Sequence, residues 1–171
     1  MGASITSLVF QPPPVTYLQT KSSLIWLNTV SDISFPAYYI DRKSKITILF
    51  SHGNAEDIGM FYESFCEFAL QVKVNVLAYD YAGYGKSSGT PSEKGCYECI
   101  DAAYYFLTYT LKIPSQQIVL YGRSVGSGPS CYLAEKLRNQ KKVLGGLILQ
   151  VINPKLLLHF HVQFMYKRRH L

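Results

Sequence analysis

The sequence Gly-Arg-Ser-Val-Gly begins at Gly122 and stands between two runs of different character. Residues 116–121 before it form an apolar run typical of a buried strand, and residues 125–139 after it have helical spacing. A Gly-x-Ser-x-Gly sequence between a strand and a helix predicts a tight turn that exposes the serine hydroxyl. Gly122 and Gly126 would let the backbone pass closely on both sides of Ser124. The pattern favours a serine nucleophile over a glycine-rich turn with an unreactive serine.

The rest of the chain alternates between strand and helix patterns. At 171 residues it is long enough for one domain with a hydrophobic core. Continuous apolar runs predict strands that are buried on both faces, and apolar residues three and four positions apart predict helices. The predicted strands are 24–30, 35–40, 46–50, 74–80, 116–121 and 143–149, and the predicted helices are 58–71, 92–111 and 125–139. This order indicates an α/β fold with a mostly parallel sheet and flanking helices.

Two backbone segments are predicted to form an oxyanion hole beside the serine. The helix that follows the serine directs its N-terminus towards it, so the N–H of Val125 would donate to the developing negative charge. His52 and Gly53 follow the third predicted strand, and a loop at this place would supply the second donor through the backbone of Asn54 or Ala55. His52 precedes the serine in the chain, so we expect it to brace this loop rather than to act as the base.

A second glycine-containing segment resembles the end of a phosphate-binding loop. It reads Gly85-Lys86-Ser87. The phosphate motif requires a glycine five residues before the last one, where this chain has Asp80, and a helix that begins at the lysine. Gly89 follows closely and disfavours such a helix. Nucleotide binding is therefore disfavoured.

The cysteines do not have the spacing of a disulfide framework. The chain contains four, which favours reduced thiols in the cytosol. Cys96 and Cys99 form a C-x-x-C pair without a second pair. Packing inside a helix is the favoured interpretation, and redox or zinc chemistry is the alternative.

Charge and hydropathy limit the classes of partner. The net charge is +6, with basic clusters at 141–142 and 167–169. No basic-aromatic nucleic-acid motif is present, so nucleic acid is not an expected partner. No apolar run reaches the length of a membrane span. The 167–169 cluster would suit an acidic membrane surface.

The first residues fit an acylation motif. Gly2 follows the initiator Met, and Thr6 completes the M-G-x-x-x-[ST] pattern for N-myristoylation. One acyl chain binds membranes only marginally, so a second signal would be needed.

Several motifs together resemble the α/β-hydrolase fold, and within it the ABHD-type cytosolic serine hydrolases that remove palmitoyl groups from proteins. The matching segments, in the order of that family, are VFQPPPVTY (9–17), LFSHGNAEDIG (49–59), YDYAGYGKSSGTPSE (79–93), IDAAY (100–104) and VLYGRSVGSGPS (119–130). The resemblance implies that Ser124 is the nucleophile, with Val125 and Asn54 lining the oxyanion hole. It also implies hydrolysis of thioesters or esters in S-acylated protein substrates at membranes, without metal or cofactor. The expected location is the cytoplasm, or the cytoplasmic face of plasma or endosomal membranes. The family attaches through an N-terminal cysteine cluster, whereas the first cysteine here is Cys66.

The chain departs from this family after about residue 150. The fold orders its triad as Ser, then Asp or Glu, then His, but no Asp follows Ser124 and the only later acid is Glu135. Three histidines do follow, at positions 159, 161 and 170. We therefore expect a chain that lacks the last strands of the fold and ends its sheet at the 143–149 strand.

The expected organisation has three parts. Residues 1–20 are a lead-in with the acylation motif, 21–150 a partial α/β-hydrolase domain, and 151–171 a divergent apolar and basic tail. The first functional hypothesis is a serine hydrolase. The alternatives are a catalytically inactive, truncated hydrolase-like protein that associates with membranes or binds acyl groups, and a fragment that does not fold stably.

Overall fold

A computed structural model describes residues 10–17 and 24–150, which form a six-stranded sheet covered by helices on both faces. The strands are β1 (Leu24–Asn28), β2 (Ser34–Ile40), β3 (Thr47–Ser51), β4 (Asn75–Tyr79), β5 (Ile118–Arg123) and β6 (Gly146–Gln150). The helices are α1 (Tyr62–Val72), α2 (Glu93–Tyr105) and α3 (Ser127–Asn139), with 3-10 turns at Ile58–Phe61, Ser115–Gln117 and Ser124–Gly126 and a π turn at Phe106–Thr110. The predicted alternation of strands and helices is confirmed.

The sheet brings the carboxyl ends of four strands to one edge. Its order is β1-β2-β4-β3-β5-β6, and β2 is antiparallel to both β1 and β4. The four strands β4, β3, β5 and β6 are parallel. Their carboxyl ends therefore lie at the same edge of the sheet, which is where α/β folds place their ligands. The loops that carry the predicted site residues follow β3 and β5.

The central strands contribute to a core on both faces of the sheet. Leu49 of β3 packs in one apolar cluster with Leu77 and Leu120, which α2 and α3 cover. Its neighbours Ile48 and Phe50 belong to the cluster on the other face, under α1. All five residues of β3 and all five of β4 are buried, as the continuous apolar runs predict.

Two helix boundaries depart from the predicted ones. The 58–71 segment begins with a 3-10 turn, because the Asp57 carboxylate accepts from the N–H groups of Gly59 and Met60 and tightens the first turn. The 92–111 segment does begin at a serine cap, where the Ser92 hydroxyl accepts from Gly95. It ends in the π turn, where the N–H of Leu111 donates to the carbonyl of Phe106.

The last described strand starts later than predicted and lies at an edge. Residues 143–145 precede it, and the N–H of Gly145 donates to the carbonyl of Ile118 at 2.8 Å. Among the described residues β6 pairs only with β5. In the part of the chain that the structure describes, no helix combines the length and hydropathy that crossing a bilayer requires.

Candidate active site

Ser124 occupies a backbone conformation that serine rarely adopts. Its φ is +51°, in the left-handed region, directly after the last residue of β5. A non-glycine residue there costs about 1–2 kcal/mol, so surrounding contacts must hold it. The strand before Ser124 and the helix after it, both predicted from sequence, are present. This geometry turns the chain sharply at the serine, as a nucleophile at such a turn requires.

The two glycines beside Ser124 are needed for space. A Cβ on Gly126 would lie 2.1 Å from the carbonyl oxygen of Ser51 and 2.6 Å from that of His52. A Cβ on Gly122 would lie 2.5 Å from the carbonyl oxygen of Gly126. These distances are well inside van der Waals contact, and the opposing atoms are backbone. The serine turn therefore sits directly on the carboxyl end of β3.

Val125 follows the serine inside a short 3-10 turn, and α3 begins two residues later at Ser127. Val125 is buried, so its backbone is sheltered from bulk water. The positive end of the α3 dipole lies next to Ser124, which favours negative charge there. This position suits the predicted role of Val125 as an oxyanion donor, and that role stays a prediction.

The loop after β3 lies against the same turn. The N–H of Gly53 donates to Oε2 of Glu56 at 2.7 Å, so that amide is used within the loop. The Asn54 side-chain oxygen accepts from the N–H of Gln11 at 2.8 Å and from the Tyr84 hydroxyl at 2.7 Å. Ala55 has a φ of +53°. Asn54 and Ala55 therefore remain the predicted sources of the second oxyanion donor.

His52 is buried behind this loop. Its Nδ1 lies 2.8 Å from the Gly53 carbonyl oxygen, and its Nε2 lies 3.5 Å from Oδ1 of Asp80. The centroid of its ring lies 4.1 Å from that of the Tyr81 ring. The Tyr81 hydroxyl donates to the His52 carbonyl at 2.6 Å. Burial lowers the pKa of His52 to about 4, so the imidazole is neutral near pH 7. These contacts favour a bracing role over a role as the catalytic base.

Asp80 is a buried carboxyl group that supports the site from the end of β4. The Tyr17 hydroxyl and the N–H of Ile58 donate to it. Burial raises the pKa of Asp80 to about 7, even though the hydrogen bond from Tyr17 opposes the shift. In the sequence, Asp80 is marked only by standing where a phosphate-binding loop requires glycine. The buried carboxyl links the N-terminal segment, the β3 loop and β4.

Replacing Asp80 by asparagine is expected to change the pH dependence of stability. The folded-state pKa of Asp80 lies above its ordinary value of 3.8, so its ionisation lowers the free energy of unfolding as pH rises from about 4 to 7. The folded-state pKa of His52 lies below its ordinary value of 6.5, so its effect has the opposite sign over about pH 4 to 6.5. Asp80→Asn removes the first effect and leaves the second.

Urea unfolding at a series of pH values measures this difference. The free energy of unfolding of the variant should rise with pH more steeply than that of the wild type. At pH 5 the variant is less stable than the wild type, and this deficit in the free energy of unfolding should shrink by a few kcal/mol at pH 8. A deficit that stays constant across the range would contradict the prediction.

Other sequence candidates lie away from this site or outside the described residues. Glu135 is exposed and pairs with Arg138 at 2.6 Å, so it does not orient a base at the serine. Cys96 and Cys99 are buried in the core, and burial raises the pKa of both thiols, that of Cys99 to about 12. Among residues 10–17 and 24–150, no three metal-ligating side chains converge on one point. Gly2, the three later histidines and the 151–171 tail are outside the description.

A cavity of about 560 Å³ lies between α2 and α3, away from the serine turn. Its walls include Tyr105, Tyr109 and the Asp101–Lys136 ion pair. None of the predicted site residues lines it.

Comparison with known proteins gives consistent results. Residues 46–164 match the family model described as the alpha/beta hydrolase fold. The chain is 41% identical over 101 residues to alpha/beta hydrolase domain-containing protein 17B of Xenopus laevis, covering 59% of this chain and 35% of that protein. It is 43% identical over 93 residues to the human protein 17C, covering 54% of this chain and 28% of that protein. The chain thus spans about a third of the length of these curated relatives.

Solved structures share the fold at low sequence identity. An alpha-beta hydrolase from Vibrio vulnificus gives a TM-score of 0.63 at 22% identity, over 73% of this chain and 43% of that one. An esterase of Pyrococcus furiosus gives 0.63 at 22% identity, over 75% of this chain and 54% of that one. Both comparisons show that the fold is shared.

Proposed function

Because the chain belongs to the α/β-hydrolase family, we propose that it carries the nucleophile of a serine hydrolase that cleaves thioesters and esters. The observation that carries the proposal is the backbone of Ser124, whose φ of +51° is held by a turn in which neither neighbouring glycine has room for a Cβ. Strain that is maintained by packing is typical of functional sites. The relatives at about 42% identity support hydrolysis as the general activity.

The proposed reaction begins with attack of the Ser124 hydroxyl oxygen on the acyl carbonyl carbon. The hydroxyl proton passes to a base, and the carbonyl oxygen becomes an oxyanion that accepts from the N–H of Val125 and from that of Asn54 or Ala55. Collapse of this intermediate expels the thiolate or alkoxide and leaves an acyl-serine ester, which water then hydrolyses. The described residues supply the nucleophile and the backbone donors of this scheme.

The leaving group favours thioesters as substrates. A cysteine thiol has a pKa of about 8.5, so a thiolate can leave without receiving a proton, whereas an alkoxide requires a general acid. S-acylated proteins, with palmitoylated cysteine as the leading case, are therefore the proposed substrates. The motif resemblance to protein depalmitoylases also supports this choice.

Hydrolysis of matched acyl peptides tests the proposal. One peptide carries palmitate on cysteine, and its twin carries palmitate on serine at the same position. We expect the protein to release palmitate faster from the thioester, and Ser124→Ala to reduce the rate to that of the peptide alone. Equal release by wild type and Ser124→Ala would rule out Ser124 as the nucleophile.

A second candidate is an acyl-binding protein without catalytic turnover. It is favoured by His52, the one histidine among the described residues, whose ring nitrogens are directed towards Gly53 and Asp80. A catalytic histidine must instead accept the serine proton. Saturable binding of the palmitoylated peptide with no palmitate release would support this candidate.

We also propose a location at the cytoplasmic face of plasma or endosomal membranes. A myristoyl group on Gly2 and the basic residues near 167–169 would provide the two signals that stable attachment requires. The mass of the N-terminal peptide from eukaryotic cells measures this directly. A peptide without the myristoyl mass would end this part of the proposal.

A further inference from the structure

Glu56 connects the two loops that are predicted to form the oxyanion hole. Its Oε2 accepts from the N–H of Gly53 at 2.7 Å, in the loop after β3. Its Oε1 lies 3.1 Å from Nη1 of Arg123, the residue that immediately precedes Ser124. One carboxylate therefore bonds both to the residue before Asn54 and to the residue before the nucleophile.

The pair is partly shielded from solvent. The Glu56 side chain is 16% exposed and that of Arg123 is 29% exposed. The Arg123 guanidinium also lies over the ring of Phe61, at 5.2 Å from the ring centroid. Shielding and the aromatic face limit the freedom of the arginine, so this ion pair is better ordered than one between fully exposed side chains.

The location of Glu56 makes its charge important for the proposed reaction. The Glu56 carboxylate accepts from the N–H of Gly53, the residue before Asn54. In the proposed reaction, negative charge develops on the substrate beside Asn54. An uncompensated carboxylate there would oppose the oxyanion, because like charges repel strongly in a partly buried site. Arg123 compensates this charge and holds the carboxylate in place.

We propose that Glu56 and Arg123 are positioning residues, which fix the β3 loop to the serine turn and keep the Glu56 charge neutralised beside the oxyanion hole. The inference rests on the proposed hydrolase function for its catalytic consequence. The link between the loops is a separate, structural part of it. Neither residue touches the reacting atoms, so each acts through the backbone donors.

Three variants distinguish the effect of the Glu56 charge from the attachment of the β3 loop to the serine turn. Arg123→Gln leaves the Glu56 carboxylate without its partner. Glu56→Gln keeps an acceptor for the Gly53 N–H but removes the charge, and the double variant removes both charges. The control is Asp101→Asn, which breaks an ion pair of 2.7 Å between α2 and α3 that lies outside the proposed site.

The first measurement is amide hydrogen exchange at Gly53 by NMR in the full chain. We expect Arg123→Gln to speed exchange about tenfold, because the carboxylate that accepts from Gly53 is no longer held. Asp101→Asn should leave this rate within about twofold of the wild type. Unchanged exchange at Gly53 in Arg123→Gln would overturn the proposed link.

The second measurement is the rate of Ser124 phosphonylation by a fluorophosphonate, scaled to the folded fraction. Arg123→Gln should slow it about tenfold, and adding Glu56→Gln should recover it to within about threefold of the wild type. A double variant no faster than Arg123→Gln alone would overturn the charge argument. A wild type that takes no label would instead contradict the proposed function, and the Gly53 exchange rates would still decide whether the pair joins the loops.

Discussion

Alanine in place of Ser124 is expected to abolish covalent labelling by a fluorophosphonate, with a loss of at least about 1000-fold in rate. The probe requires an oxygen nucleophile at the turn and donors for the phosphoryl oxygen, and alanine removes only the nucleophile. Alanine keeps the Cβ, so the turn at a φ of +51° carries the same strain in both proteins. The melting temperature should therefore change by less than about 2 °C.

Intact-mass spectrometry after exposure to the probe measures the result. The matched control is Ser127→Ala, which removes a buried hydroxyl from the start of α3. This hydroxyl donates to the Gly122 carbonyl oxygen across a long distance of 3.4 Å. That variant should still take one label. Labelling of Ser124→Ala to the same extent as the wild type would show that another residue reacts.

Alanine in place of Gly126 is expected to lower the free energy of unfolding by about 3 kcal/mol or more. Gly126 has a φ of −63°, which alanine adopts without strain, so the effect is steric alone. The added Cβ would lie 2.1 Å from the Ser51 carbonyl oxygen, and this oxygen belongs to the backbone of a buried central strand. Relief would require β3 and the serine turn to separate, which would also disturb both oxyanion donors.

Chemical unfolding of Gly126→Ala beside Gly146→Ala provides the comparison. A Cβ at Gly146 would meet only the Val119 methyl groups, at 3.6 and 3.8 Å, so this variant should change stability by less than about 1 kcal/mol. Similar stabilities for the two variants would show that the serine turn does not press on β3.

The sequence was a good guide where structure depends on local pattern. Apolar runs and helical spacing predicted the central strands and α3 to within a few residues. Burial on both faces and amphipathicity each produce a pattern among residues that are close together in the sequence. The serine turn was predictable for the same reason, because the Gly-x-Ser-x-Gly pattern that marks it lies within a few adjacent residues. The π turn at 106–110 was not predicted, because it depends on which backbone carbonyl accepts the hydrogen bond from the N–H of Leu111.

The supporting contacts around the site could not be read from the sequence. Tyr17 reaches Asp80 across 63 positions, and Glu56 meets Arg123 only because β3 and β5 are neighbours in the sheet. Such pairs are fixed by strand order, and β4 lies between β2 and β3 in a way that no local pattern specifies. Glu56 was visible only as an acid close to the predicted oxyanion loop.

The close packing of Gly126 against the carboxyl end of β3 has a consequence for folding. The left-handed backbone of Ser124 can be enforced only after β5 has docked beside β3, since the contact partners are the carbonyl oxygens of Ser51 and His52. A nascent or misfolded chain would carry an ordinary, relaxed serine with no special reactivity. The geometry that the proposed attack requires would therefore be acquired only once β5 has docked beside β3, and an incompletely folded molecule would lack the strained serine.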